Sequence, residues 1–269
     1  YAYVDDIGAK SAHCHLGISN DEHIPGLAWL AENIREMGAV PAIQIEHCGR
    51  QKFLGTQPIK APSAIPWPKL YAQHGLEAVP QELTIPEIHE IVKCFGDAAL
   101  RAKIAGFELV EIHGAHGYLL HRTDMYGGTL ENRCRIYFEI IEDVRKKVGP
   151  DFPVTIRLSG TDYEPDGFSI EDTIYLAKGL EARGIDAIDV SGDHHTMIHQ
   201  TSPMAIEVCH NVWAAEALKK ELSIPIMASG SITLPEYAED ILSSGKGDFV
   251  VLGRPLWADP EWAKKAEEG

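Results

Sequence analysis

The run AGFELVEIHGAHGYLL, residues 105–120, decides the fold. Gly106 closes a helix, because a residue free to take positive φ is what a helix C-terminus needs. Residues 109–113 then read as a short β-strand, near-continuous in apolar residues, ended by a glycine-bearing polar turn that holds His113, His116 and Tyr118. A helix stop, a strand and a polar strand end in immediate succession make one repeat of an α/β protein.

The same unit recurs on both sides. Strands are expected at 40–45, 154–158, 187–190, 224–228 and 249–252, each apolar enough for a parallel strand covered on both faces. Thr84-x-x-Glu87 opens a helix with apolar Ile88, Ile91, Val92, Phe95, Ala99 and Ala102. Leu130, Cys134, Tyr137, Ile141, Val144 and Val148 mark another, with Lys146 and Lys147 at its negative end and Gly149 beyond. Ser169-x-x-Asp172 and Thr233-x-x-Glu236 read as two more capping boxes, and helices at about 22–37, 208–221 and 260–267 complete the set. Alternating strands and helices imply parallel pairing with right-handed crossovers. The first helix has no strand before it, so a closed eight-stranded barrel at roughly 30 residues per unit would need about 60 more N-terminal residues. Either a barrel is incomplete at that end or the sheet is open. The Pro-rich stretch 61–68 falls in a long loop after the first strand.

Composition narrows the class. With 24 Lys plus Arg against 40 Asp plus Glu, the net charge of −16 argues against nucleic acid and anionic membrane as partners. No apolar run approaches the ~18 residues of a membrane span. Cys14, Cys48, Cys94, Cys134 and Cys209 are far apart and odd in number. That spacing suits a reducing, cytoplasmic compartment rather than a disulfide framework or zinc knuckle. Residues 1–10 carry no signal-peptide pattern, and the start at Tyr1 without Met points to residues before it.

In folds of this class the ligand site lies beyond the carboxyl ends of the strands. Those ends read QIEHCGR (44–50), HGAHGY (113–118), RLS (157–159), SGDHH (191–195), SGS (229–231) and GR (253–254). Small residues in the last two turns let backbone N–H groups approach a phosphate, and Arg254 adds a charged fork. Glycine alone would signify no more than a tight turn; two such turns with an arginine favour a phosphate site. His113 and His116 are spaced to put both rings in one pocket. Metal ligation would need a third ligand, for which Glu111 shares a face, while two imidazoles can equally hold a developing oxyanion. Arg157 reads as a salt bridge closing the strand ends or as a cation beside an electron-accepting ring.

The stretches 44–51 (QIEHCGRQ), 82–84, 105–120, 122–133 (RTDMYGGTLENR), 151–159 (DFPVTIRLS) and 252–260 (LGRPLWADP) resemble the Old Yellow Enzyme family. More narrowly, they are similar to its NADH:flavin oxidoreductase branch, which includes 2,4-dienoyl-CoA reductase and bile-acid or aryl-CoA reducing relatives. The resemblance implies an α/β TIM (β/α)8 barrel over 1–269 that binds FMN, takes hydride from NAD(P)H and reduces an activated C=C bond of an enone or acyl-CoA. It implies Gln44 at the flavin pyrimidine edge, Arg157 near N1/O2, and Ser229, Gly230, Ser231, Gly253 and Arg254 at the phosphate. His113 and His116 would hold the substrate carbonyl oxygen, Tyr118 would protonate the α-carbon, and His194 or His195 would assist. No metal is implied in the barrel, and a homo-oligomer is expected.

The resemblance also marks departures. The first two family strands are missing, with 1–6 resembling the loop after the second. About ten residues are missing between Leu120 and His121, in the fourth βα loop. Larger relatives continue past the C-terminus into an iron–sulfur (4Fe-4S) cluster and FAD/NAD-binding domains. Ser231, where many relatives have Arg, and the pair His194-His195 also depart from the pattern. Two competing readings are a flavin-free phosphate-binding aldolase or isomerase barrel and a non-catalytic barrel fragment. The first should carry a strand-end Lys or a metal set, and none of the six strands ends in Lys.

Overall fold

A computed structural model describes residues 1–52, 58–66, 78–120, 128–163, 167–192 and 207–269. In chain order the elements are β1 (Ala2–Tyr3), β2 (Leu16–Gly17), α1 (Ile24–Glu36), β3 (Ala42–Glu46), β4 (Lys60–Ala61), β5 (Gln81–Glu82), α2 (Ile85–Ile104) and β6 (Leu109–Gly114). They continue with α3 (Leu130–Val148), β7 (Val154–Ser159), α4 (Ile170–Glu181), β8 (Ala187–Ser191), α5 (Val212–Lys219) and β9 (Ile226–Ala228). Last come α6 (Pro235–Ser243), β10 (Phe249–Val250), α7 (Arg254–Ala258) and α8 (Trp262–Glu268).

The main sheet runs β10-β9-β8-β7-β6-β3-β1-β2, with every neighbouring pair parallel. From β6 to β10 each strand pairs with the next in the chain, and β3 joins β6 across the small β4–β5 sheet. That sequential order is the order of a (β/α)8 barrel; a doubly wound sheet would reverse direction partway. Among the described residues no ladder joins β10 to β2, so the barrel is open along that seam.

Two strand expectations are revised. The N-terminal segment, expected as loop, contributes β1 and β2, and Ala2 and Tyr3 pair with Ile45 and Glu46 of β3. Strands of two residues carry no periodic signal, so the sequence could not mark them. The longer strands are also not apolar on both faces. Ile43, Ile45, Val110, Ile112, Ile156, Ile188, Val190 and Ile226 belong to the buried core with the helices. Between them stand Gln44, Glu111, His113, Arg157 and Asp189, two residues apart along each strand and therefore on the opposite, inner face.

The helices form where their end signals lie. Thr84 and Glu87 make both bonds of a capping box at α2, and Ser169 and Asp172 do so at α4. The third expected box is absent. Pro235 occupies the first turn of α6 and the N-cap is Leu234, which has no side-chain acceptor, while the Thr233 carbonyl accepts from Trp262 Nε1 at 3.1 Å. α2 and α3 pack closely because Gly96 has no side chain: a Cβ there would lie 2.0 Å from Asp143 Oδ2. All five cysteines are free thiols. Among the described residues no helix is long and apolar enough to cross a membrane.

Candidate active site

The strand register stacks the inner-face side chains in layers. Gln44, Glu111 and Thr155 are Cα partners across β3, β6 and β7, and His113, Arg157 and Asp189 are partners across β6, β7 and β8. Ser159 and Ser191 pair one step further toward the strand ends. Partners across parallel strands share a face, so one wall carries a carboxamide, two carboxyls, an imidazole, a guanidinium and three hydroxyls.

These groups are joined to one another. Gln44 Nε2 donates to Glu111 Oε1 at 2.6 Å. Arg157 Nη1 lies 3.3 Å from Asp189 Oδ2, and its Nη2 donates to Ser191 Oγ at 3.2 Å. Burial, and then the charge of Asp189, push the Glu111 carboxyl from 4.5 up to about 7, against the pull of Arg157 and Gln44. Asp189 is likewise raised by burial and drawn back by Arg157. Glu111 and Asp189 thus compete for a single cation.

The residues after β6 gather above this wall. His116 has a left-handed backbone (φ 62°), rare for a residue with a Cβ, and three side chains hold it there. Its N–H donates to Ser159 Oγ at 3.2 Å, its carbonyl accepts from Gln51 Nε2 at 2.6 Å, and its Nε2 is 2.8 Å from Ser191 Oγ. The His113 ring lies 5.1 Å from the His116 ring and meets Tyr118 edge-on at 4.8 Å. Tyr1 stacks on His113 at 5.6 Å, and its hydroxyl is 2.7 Å from that of Tyr118. Burial, with Tyr1 beside it, pushes the Tyr118 phenol well above its ordinary value.

A second group forms at the ends of β9 and β10. Gly230 has φ 115° and Ser231 φ 50°, and a Cβ on Gly230 would stand 3.0 Å from the Asn211 backbone nitrogen. Glycine is therefore required by both torsion and space. Arg254 Nη2 donates to Ser231 Oγ at 3.4 Å, which brings the two turns together. Ser229 turns away, donating to the Val190 carbonyl at 2.7 Å. Gly253 caps the five-residue α7 at φ −114°, with open space where a Cβ would be.

The structure thus joins His116 and Arg157 through Ser191, packs His113 against His116 and Tyr118, ties Gln44 to Glu111, and sets Gly230, Ser231 and Arg254 together. His194 and His195 lie outside the described residues, as does the Leu120–His121 junction. Among the described residues no three His, Cys, Asp or Glu side chains are grouped to hold a metal. Sequence reading included Ser159, Ser191 and Gln51 in strand-end stretches without giving them a role, and passed over Asp189, a polar residue inside a strand taken as uniformly apolar.

A model of the NADH:flavin oxidoreductase / NADH oxidase family matches residues 3–269. The chain belongs to that family. It is similar to the NADH oxidase of Thermoanaerobacter brockii, 41% identical over 280 residues that cover 99% of this chain and 42% of the relative. The NADPH dehydrogenase of Geobacillus sp. (strain WCH70) is 40% identical, with coverage of 92% and 72%. Among solved structures, a 2-naphthoyl-CoA reductase in complex with 2-naphthoyl-CoA superposes with a TM-score of 0.87 at 29% identity, covering all of this chain and 44% of that one. The chain therefore spans about two fifths of the length of the NADH oxidase and of the naphthoyl-CoA reductase. Membership places FMN and NAD(P)H as the cofactors of this fold and gives the open sheet its type, a flavoenzyme TIM barrel.

Proposed function

We propose that the strand-end site is an FMN site at which an NAD(P)H-dependent reductase saturates an activated C=C bond of an enone or an enoyl-, dienoyl- or aryl-CoA. The observation that carries this reading is the cluster of His113, His116 and Tyr118 beside Arg157. Two imidazoles and a phenol lie side by side there, a set that suits holding a developing enolate oxygen and protonating the α-carbon.

The residues fit the cofactor at both ends. Arg157 Nε and Asp189 Oδ1 are buried polar atoms with no partner among the described residues, as expected of a wall that hydrogen-bonds a heteroaromatic edge. Gly230, Ser231 and Arg254 supply a close backbone approach and a cation for a phosphate. In this reading Gln44 and Arg157 bind the pyrimidine edge. Gly230, Ser231, Gly253 and Arg254 bind the phosphate, with the Ser229 backbone beside them. When bound, FMN supplies the hydride exchange between nicotinamide and substrate. His113 and His116 orient the carbonyl oxygen and stabilise its developing charge, and Tyr118, kept protonated by burial, gives its proton to the α-carbon. His194 or His195 is proposed to assist at the oxygen. The acyl-CoA class draws support from the naphthoyl-CoA reductase likeness.

Anaerobic half-reactions test the proposal. The intact protein is reduced with NADH or NADPH and then mixed with free enones and CoA thioesters. Return of the oxidised flavin spectrum with one saturated C=C bond per flavin is the expected result. Reoxidation by dioxygen alone, with every alkene recovered unchanged, would overturn it.

A further inference from the structure

Gln44, Glu111 and Arg157 are half-buried, while the residues before and after each of them in β3, β6 and β7 are buried. The inner wall is thus open toward the barrel interior at these points. Glu111 stands between the other two: it is the Cα partner of Gln44 on β3 and of Thr155 on β7, two residues before Arg157. Among the described residues, the charged groups that act on its carboxyl are Arg157 of β7 and Asp189 of β8. Glu46 of β3 and His113 of its own strand share the inner face two residues further on. Arg157 is ion-paired with Asp189 at 3.3 Å, whereas the Glu111 carboxyl is held by a neutral group, the Gln44 carboxamide, at 2.6 Å. One guanidinium therefore serves two carboxyls, and the carboxyl outside the direct ion pair is the one poised near neutral pH, at about 7.

A hydride carries two electrons with one proton, so its transfer to bound FMN adds one negative charge to the site. With the pyrimidine edge on Gln44 and Arg157, that charge falls beside the guanidinium that already serves two carboxyls. A further like charge there raises the affinity of a neighbouring carboxylate for a proton. We propose that Glu111 is the charge-compensating residue of the FMN site: its carboxylate takes one proton from solvent when NAD(P)H reduces the cofactor and releases it when substrate reoxidises the cofactor. Electrons pass only between nicotinamide, flavin and substrate. The Glu111 step moves a proton alone, and the total charge of cofactor and wall is the same before and after reduction. This role deepens the FMN reading proposed above and rests on it.

The test is infrared difference spectroscopy of the intact, FMN-loaded protein, reduced at an electrode so that no nicotinamide bands enter. At about pH 8, above the Glu111 value, reduction should remove a carboxylate band and add a carboxylic-acid C=O band. That band should shift in protein labelled with ¹³C-carboxyl glutamate and vanish in Glu111→Gln. At about pH 5, where Glu111 already holds its proton, reduction should add no such band. The label decides in the parent chain even if Glu111→Gln fails to fold. An acid band that ignores the glutamate label, or one that persists in folded Glu111→Gln, would place the proton elsewhere and overturn the proposal. Bound FMN whose reduction adds no acid band at all would overturn it and leave the FMN reading standing. A folded protein that takes up no FMN would overturn both.

Discussion

Tyr118 and Glu111 show how burial sets chemistry at single residues. The proposed role of Tyr118, edge-on to His113, lies at the step that needs a proton and at no other. Tyr118→Phe should therefore slow reoxidation of the reduced protein by an enone about a hundredfold, within the range of general acid catalysis, and leave reduction by NAD(P)H unchanged. Equal slowing of both half-reactions in stopped-flow would contradict that role. Glu111 is tested by pH. Its carboxyl sits at 4.5 when exposed and at about 7 in the fold. Between those values a folded chain holds the Glu111 proton that an unfolded one has lost, so this group's contribution to stability is full below 4.5 and is lost as pH rises through 7. Melting of the apoprotein at about pH 5 and about pH 8 should show that fall, and Glu111→Gln should flatten it, because an amide has no proton to lose. His113, His116, Tyr118, Gln44 and Arg157 were singled out from sequence, and the structure brings the first three together. Ser191 was read as part of a strand-end turn and Asp189 as part of an apolar strand, and only the register sets them beside Arg157.

At the scale of elements, local rules read correctly where nothing competed with them. Thr84 and Thr233 head the same pattern, yet only Thr84 caps, because Pro235 moves the start of α6 past Thr233. Thr84→Ala should cost ~1 kcal/mol, the worth of an N-cap, and lower Tm by about 2–4 °C. Thr233→Ala should leave Tm unchanged. Equal losses at both positions by calorimetry would contradict this assignment of caps. The helices over 84–104 and 130–148 were found because each has a long apolar stripe and a marked end. β1 and β2 were missed because two residues carry no period. The inner-face alternation was read for Glu111 and His113 in β6 and missed in β7, where Val154, Ile156 and Leu158 on the helix-facing side dominate the window.

For the molecule as a whole, sequential parallel strand order turns scattered strand ends into one surface. The six strands read from sequence are β3 and β6 to β10, and their alternation with helices was enough to give the barrel class. The closure of the sheet was not legible, because pairing between distant strands depends on residues at both edges, and among the described residues no ladder joins β10 to β2. The net charge of −16 is not spread evenly in its effects: the proposed phosphate turn presents Arg254, and the inner wall presents Arg157 against Glu111 and Asp189. Salt should thus weaken FMN binding through Arg254 without unfolding the chain.

The account stands on FMN bound at the ends of β3 to β10. Flavin released from the purified, FMN-saturated intact protein and quantified by fluorescence measures this directly. The expected result is one FMN per chain in the parent and a large loss in Arg254→Ala with the fold retained. A folded parent protein that holds no flavin after saturation would contradict the account.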